Sequence, residues 1–316
     1  MAEDFGLVSG RRAPKRGRKP YFTPEGKVAL MFLKMYTQTS SPKLMEQLNG
    51  NVHYQIFCGI RINPENPLTN YKLIDDIACE LAGKLKIQQL QNLLAEAWKP
   101  YMKDLDTMYT DATCYESEMR YPTDQKLLWE CFERAYKAMC EASGRLGIRR
   151  PRTKYLDVEK ANLGYAKCNN ILVDGISFIE KLSFNAFNEG KRLQHCVKMH
   201  KRLFGVDVKK IGGDTGYAGT ANRDFCKENG IQTSFVKRCR PSQTAKEKDF
   251  VRQELARVRA TTMERSFGTQ KEHYSMRKIK ARKKETEILY IFFGIHTANA
   301  VRLAERLMEQ QRAKAA

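Results

Sequence analysis

A chain of 316 residues with 56 lysines and arginines against 36 acids carries a formal net charge of +20. Hydrophobic residues make up 42% of it, so a core can form, wholesale disorder is excluded, and one large domain or two ordinary ones are expected. The longest apolar run, Ile288 to Ile295, is far below the ~20 residues that cross a membrane. The opening MAEDFGLVSGRR has two early acids and none of the apolar stretch that makes a signal peptide, so a soluble intracellular protein is expected. Its charge points to nucleic acid as partner. The nine cysteines include no CxxC pair and read as reduced thiols. His195, Cys196 and His200 are one ligand short of a zinc set and read as an ordinary helix surface.

In chain order, residues 1–20 read as a disordered basic arm, because GRRAPKRGRKP at 10–20 holds six basic residues, no acid and no apolar period. Arg16 and Arg18 lie in a word similar to the minor-groove arms called AT-hooks, although a tail that gathers phosphates without sequence preference is the simpler reading. Thr23-Pro24-Glu25 marks a helix start, with Thr as cap and Pro in the first turn. Ser41-Pro42 opens a second helix that Asn49-Gly50 closes, and a third piece runs from His53 to Cys58. Asn70 to Trp98 reads as one or two more helices. Residues 21–100 are therefore expected to be an all-helical module for DNA binding or dimerisation, of a size compatible with a helix-turn-helix.

The texture changes at Asp104. Leu105 to Tyr115 is rich in Thr and Tyr and reads as a strand, with CYESEMR as its nearest candidate for a second one. Thr123-Asp124 caps a long helix from Gln125 to Ala142, the basic loop SGRLGIRRPR follows, and 155–204 reads as mostly helical. Val206 to Ile211 reads as a strand ending at Gly212-Gly213, Asn222 to Asn229 as a helix and Ile231 to Val236 as a strand. Lys246 to about Lys280 reads as one long charged helix, and Glu285 to Gln311 as a closing apolar one. Strands alternating with helices argue an α/β class for residues 101–316, with a helical insertion within 123–205. Trp98 and Trp129, in partly apolar helical surroundings, read as packing residues rather than base-stacking ones.

Three acids stand out by position. Asp111 lies on the strand MYTDATC, Asp214 follows Gly212-Gly213 at a strand end, and Glu264 sits in the most basic stretch, where residues 237–284 hold 16 basic and five acidic residues. Phosphoryl transfer on DNA commonly uses two divalent metals ~4 Å apart, held by carboxylates from different elements. On an uninterrupted helix Arg257, Glu264, Lys271 and Lys278, seven apart, share one face. A carboxylate among three cations suits a surface where metal meets the acid and phosphates meet the cations.

The words around these acids resemble the DDE-class transposases of bacterial insertion sequences, in the group related to insertion-sequence families four and five. Tyr109-Thr110-Asp111-Ala112-Thr113 is similar to that group's first-Asp strand. Gly213-Asp214-Thr215-Gly216-Tyr217, with Asn222-Arg223 and Glu228-Asn229-Gly230-Ile231, resembles its second-Asp block. Glu264-Arg265-Ser266-Phe267-Gly268, with Lys271 and Tyr274, resembles its Glu helix. SSPKLMEQLNGNVHYQIFCGI resembles its amino-terminal domain.

The resemblance implies a ribonuclease-H-like core, a mixed sheet flanked by helices, in which Asp111, Asp214 and Glu264 are catalytic and hold two Mg²⁺ ions, with Mn²⁺ able to substitute. It implies a DNA contact at Lys271, and the other cations of that stretch, Arg257, Arg265 and Lys278, are expected to bind DNA beside it. The family's Arg upstream of the Glu falls on Ala260, with Arg259 one residue off, and its Tyr falls on Arg257, so no role carries over to Arg259. The implied activity is binding of the element's terminal inverted repeats, metal-dependent strand cleavage and strand transfer. The working form would be a homo-oligomer on double-stranded DNA, cytoplasmic and nucleoid-associated, with no membrane partner. The alternative is a non-catalytic repressor or domesticated transposase.

Overall fold

A computed structural model describes residues 20–84, 86–117, 124–150, 152–155, 166–185, 187–235, 246–281 and 283–315. The basic arm, with Arg16 and Arg18, lies outside the described residues. Five helices come first: α1 (Pro24–Thr37), α2 (Ser41–Gly50), α3 (Val52–Phe57), α4 (Lys72–Lys84) and α5 (Ile87–Trp98). The Thr23 hydroxyl accepts from the Gly26 N–H and caps α1 as its sequence requires. Strand β1 (Thr107–Ser117) follows, then α6 (Asp124–Arg145), β2 (Ala166–Val173), β3 (Ile176–Ser183), α7 (Leu193–Phe204), β4 (Lys210–Gly212), α8 (Thr220–Glu228) and β5 (Gln232–Thr233). The chain closes with α9 (Lys246–Val258), a π turn (Arg259–Met263), α10 (Glu264–His273), β6 (Lys278–Ile279) and α11 (Lys284–Ala315). Among the described residues no helix is long and apolar enough to cross a membrane, and the eight described cysteines are free thiols.

The strands form one mixed sheet in the order β3-β2-β1-β4-β5, flanked by helices, as expected of an α/β class. β1, β2 and β3 are antiparallel; β4 runs parallel to β1, and β5 parallel to β4. Over 155–204, read as mostly helical, α7 is helical as expected, but 166–183 forms the strands β2 and β3. They meet at Asp174-Gly175, both with positive φ, the backbone of a tight primed hairpin turn. CYESEMR is not a second strand: Cys114 to Ser117 extend β1, and the next residues lie outside the described ones. β4 and β5 are shorter than expected, and the single helix expected from Lys246 is broken by the π turn and ended by β6.

Each face of the sheet has its own cover. Met108, Ile171, Val173, Ile176 and Phe178 point to α7 and pack with Leu193, Cys196 and Met199. The fully buried Cys196 and His200 are therefore core residues, not the helix surface expected of them. The opposite face carries Tyr109, Leu172 and Ser177, against Met263, Phe267 and Ser266 of the π turn and α10. Trp98 lies against Phe178 and His296 as a packing residue. Helix α11 reaches across both parts of the chain. Its Phe293 meets Phe32 of α1, its Tyr290 hydroxyl accepts from Lys34, and its Asn299 amide bonds both backbone groups of Ser177.

Gly212, on β4, is the closest approach in this packing. A Cβ there would overlap the Tyr109 ring and come within 3.3 Å of the Leu255 carbonyl of α9. Gly212→Ala should therefore cost about 1–3 kcal/mol by overpacking and lower the midpoint of a thermal melt by several degrees. An unchanged midpoint would show that α9 is not seated on β4.

Candidate functional site

The site grows from the register of two parallel strands. Tyr109 pairs with Gly212, where β4 ends, and Asp214 follows close enough for its charge to act on Asp111, two residues further along β1. β4 pairs with β1 at Thr107 to Tyr109 and β6 at Glu116 and Ser117, so Asp111 lies between the two pairings. Asp111 is 9% exposed. Its Oδ1 accepts from the Ala112 N–H at 2.9 Å, and its Oδ2 accepts from the Arg259 guanidinium at 2.5 Å. Burial pushes the Asp111 carboxyl above its ordinary pKa; Arg259 and the Ala112 N–H pull it back, and the charge of Asp214 pushes the same way as burial.

Asp214 is held by its own sequence word. Its Oδ1 accepts from the Gly216 N–H and caps the short turn Thr215–Tyr217. The Tyr217 hydroxyl, buried, donates to Asn169 of β2, and the Asn222 amide donates to the carbonyls of Tyr217 and Gly190. Tyr217 and Asn222 thus tie the turn carrying Asp214 to the sheet and to the loop before α7. Gly213 keeps the turn tight, since a Cβ there would press on Phe235 and Tyr217.

Glu264 opens α10 and is exposed, while Met263, Ser266, Phe267 and Gln270 are buried. The π turn Arg259–Met263 leads directly into Glu264, so the residue bonded to Asp111 and Glu264 are the two ends of one widened turn. Lys271, two turns on, shares the flank of Glu264, and its Nζ lies 6.0 Å from the centre of the Tyr115 ring. Arg265 lies on the other flank, lining a cavity of about 230 Å³ with Tyr274, Asn299 and Arg302. The four-residue face expected of one long helix does not exist. Arg257 precedes the π turn, and Lys278 sits on β6 opposite Glu116. Asp111 and Asp214 are neighbours, but among the described residues no three His, Cys, Asp or Glu side chains are gathered closely enough to hold a metal.

Two features escaped the sequence reading. One is Arg259 as the partner of Asp111. The one-residue misfit of Arg259 against Ala260 was its signal, because a π turn absorbs one extra residue in a helix. The other is Asn170, directly opposite Asp111 on β2, whose buried Nδ2 has no partner among the described residues. Nothing in a strand word such as KCNNILV separates it from an ordinary core residue.

Because its carboxyl binds a proton more tightly in the fold, Asp111 contributes stability that is full below its unfolded pKa and is lost as pH rises through the folded one. At neutral pH, without metal, Asp111→Asn should therefore raise the melting midpoint. It should also abolish any rise that Mn²⁺ gives the unaltered protein, a rise that linkage sets at about 2.7 kcal/mol when the ion is at a hundred times its Kd. A lower metal-free midpoint, or an undiminished Mn²⁺ effect, would mean the carboxyl is neither strained nor a ligand.

Comparison with known families supplies two matches. Residues 211–296 match the model described as Transposase DDE domain, a stretch that includes Asp214, Glu264 and Lys271. Residues 5–76 match Transposase domain (DUF772). Together they cover half of the chain. No curated protein and no solved structure matches it.

Proposed function

Because the chain belongs to the DDE-class transposases of insertion sequences, we propose that it binds the terminal inverted repeats of its element, cuts the DNA there and joins the freed end to target DNA. The observation that carries this reading is the nearness of Asp214, just past the end of β4, to the buried Asp111 of β1, whose carboxyl feels its charge. The order β3-β2-β1-β4-β5, with three antiparallel strands followed by two parallel ones, supports a ribonuclease-H-like core for residues 101–316. A helical module of residues 21–100, with the basic arm, would take the repeat.

The residues fit a hard divalent cation. Asp111 within β1 and Asp214 just past the end of β4 offer oxygen donors, and burial of Asp111 near Asp214 favours an added positive charge. Arg259 now supplies that charge, so a cation and the guanidinium compete for the same carboxylate oxygen. Mg²⁺, with Mn²⁺ as substitute, would supply Lewis acidity to the scissile phosphate and lower the pKa of the attacking water. Asp111, Asp214 and Glu264 would hold it. Lys271, on the Glu264 flank, would fix the phosphate in line for attack.

In the first step a water oxygen bonds to phosphorus, the bond to the 3′-oxygen breaks, and that oxygen takes a proton. In the second, the same 3′-oxygen attacks a target phosphorus, loses its proton and displaces a target 3′-oxygen.

Asp111→Asn, Asp214→Asn and Glu264→Gln should each abolish Mg²⁺-dependent cleavage of a labelled duplex bearing the repeat, with binding kept within a few-fold. Lys271→Ala should slow single-turnover cleavage more than it weakens binding. Wild-type cleavage by Glu264→Gln would remove the glutamate from the site. The Arg259–Asp111 pair and the exposed position of Glu264 favour, as a second reading, a repressor that binds the repeat and never cuts it. Binding without cleavage by the unaltered protein is that outcome.

A further inference from the structure

Helix α6 and the turn after it form an arm that the carboxylate site does not use. At 22 residues α6 is about 33 Å long. It ends in a defined reversal: the Gly147 N–H donates to the Gly144 carbonyl and the Ile148 N–H to that of Ser143, with Gly147 at φ +63°. The returning chain is fastened again at Tyr155. That ring stacks on Tyr136 at 4.0 Å and 14°, and on Phe132 at 5.8 Å and 15°, with Trp129 at 5.6 Å. Trp129, Phe132 and Tyr136 stand at helical spacing on one stripe of α6. The chain between these two fastenings is therefore a held projection.

That projection is cationic. Residues 145–154 contain Arg145, Arg149, Arg150, Arg152 and Lys154 and no acid, and all five cations are exposed. Among the described residues none of the five has an ion-pair partner, whereas Lys137 further back on α6 is paired with Glu133. Charges spaced this closely repel one another, so an arrangement that fixes them without carboxylates needs an outside polyanion. The insertion leaves β1 and rejoins at β2 on the end of the sheet where Tyr115 pairs with Ala166, and Lys271 lies against Tyr115 at that end.

We propose that the tip at 145–154 is a further docking surface for duplex DNA, gripping backbone phosphates with cations that the carboxylate site does not use. The proposal rests on the reading that the protein acts on DNA. Exposed Leu128, Leu146 and Ile148, at 72%, 71% and 59%, would also suit a second copy of the chain, but five unpaired cations repel their own copies and attract phosphates.

The test uses the full chain with Arg149→Gln, Arg150→Gln and Arg152→Gln combined. Affinity for a duplex of about 30 base pairs, of unrelated sequence, is measured from about 50 to 300 mM salt. Three lost phosphate contacts should lower the slope of log affinity against log salt by about 2–3 and weaken low-salt binding at least tenfold. The thermal midpoint should hold, because the altered side chains are exposed. An unchanged slope with unchanged affinity overturns the proposal. So does loss of self-association in sedimentation with DNA binding intact, which assigns the tip to a second copy, or weakened binding of an RNA hairpin alone. Binding is read without cleavage, so an inactive protein still tests the tip, and its failure leaves the carboxylate variants to be judged separately.

Discussion

The structure turns on a carboxylate buried in the middle of a strand. Asp111 stands on the face of β1 that carries Tyr109, Thr113 and Tyr115, and a helix lies across that face. An ionised group in such a place must be paired or lose its charge. Its partner Arg259 comes from the helix itself, and three local features let it arrive there. Gly212 leaves room for α9 above β4. The π turn carries Arg259 and leads into Glu264. Gln270, bonded to Tyr115 and Ser177, fixes the far end of α10. Remove any of these and the carboxylate loses its counter-charge.

The same economy runs through α11. Its apolar stretch from Leu289 to Ile295 is buried against the amino-terminal helices, while Asn299 serves the edge of the sheet. His296 lies between these contacts, among Trp98, Phe178 and Phe292, and burial pushes its pKa down to about 3. It therefore stays neutral at physiological pH and packs as an aromatic ring. A chain of charge +20 keeps its cations on outer surfaces, and those beside the sheet are matched locally, as Arg306 is by Asp174.

How much of this was legible follows from what each signal encodes. The helix starts were, because the Thr23 cap and the prolines Pro24 and Pro42 in the first turns act through the adjacent backbone alone. The second acid was legible with its neighbours, since Gly213, Tyr217 and Asn222 are all spent on one turn. The strands β2 and β3 were missed although Asp174-Gly175 marks a hairpin between apolar runs. β2 and the first half of β3 are buried on both faces, so they lack the alternation that identifies a half-exposed strand. The break in the basic helix was missed because periodicity assumes 3.6 residues per turn, and a single π turn leaves composition untouched. The pairing of Arg259 with Asp111 spans 148 residues and depends on that break.

The pair also shows why the site is poised rather than finished. Two carboxylates, Asp111 on β1 and Asp214 just past β4, lie near enough for the charge of one to raise the pKa of the other. A single guanidinium offsets this for one of them. A fold selected only for stability would exchange one acid for an amide, as Asn170 stands across from Asp111. Keeping both acids is favourable only if something more highly charged than arginine joins them. Such a ligand would displace Arg259 from the carboxylate and turn its guanidinium toward whatever anion the ligand brings. Repulsion between the acids and the single guanidinium that offsets it are then two sides of the same arrangement, and the π turn carries the arginine that joins them.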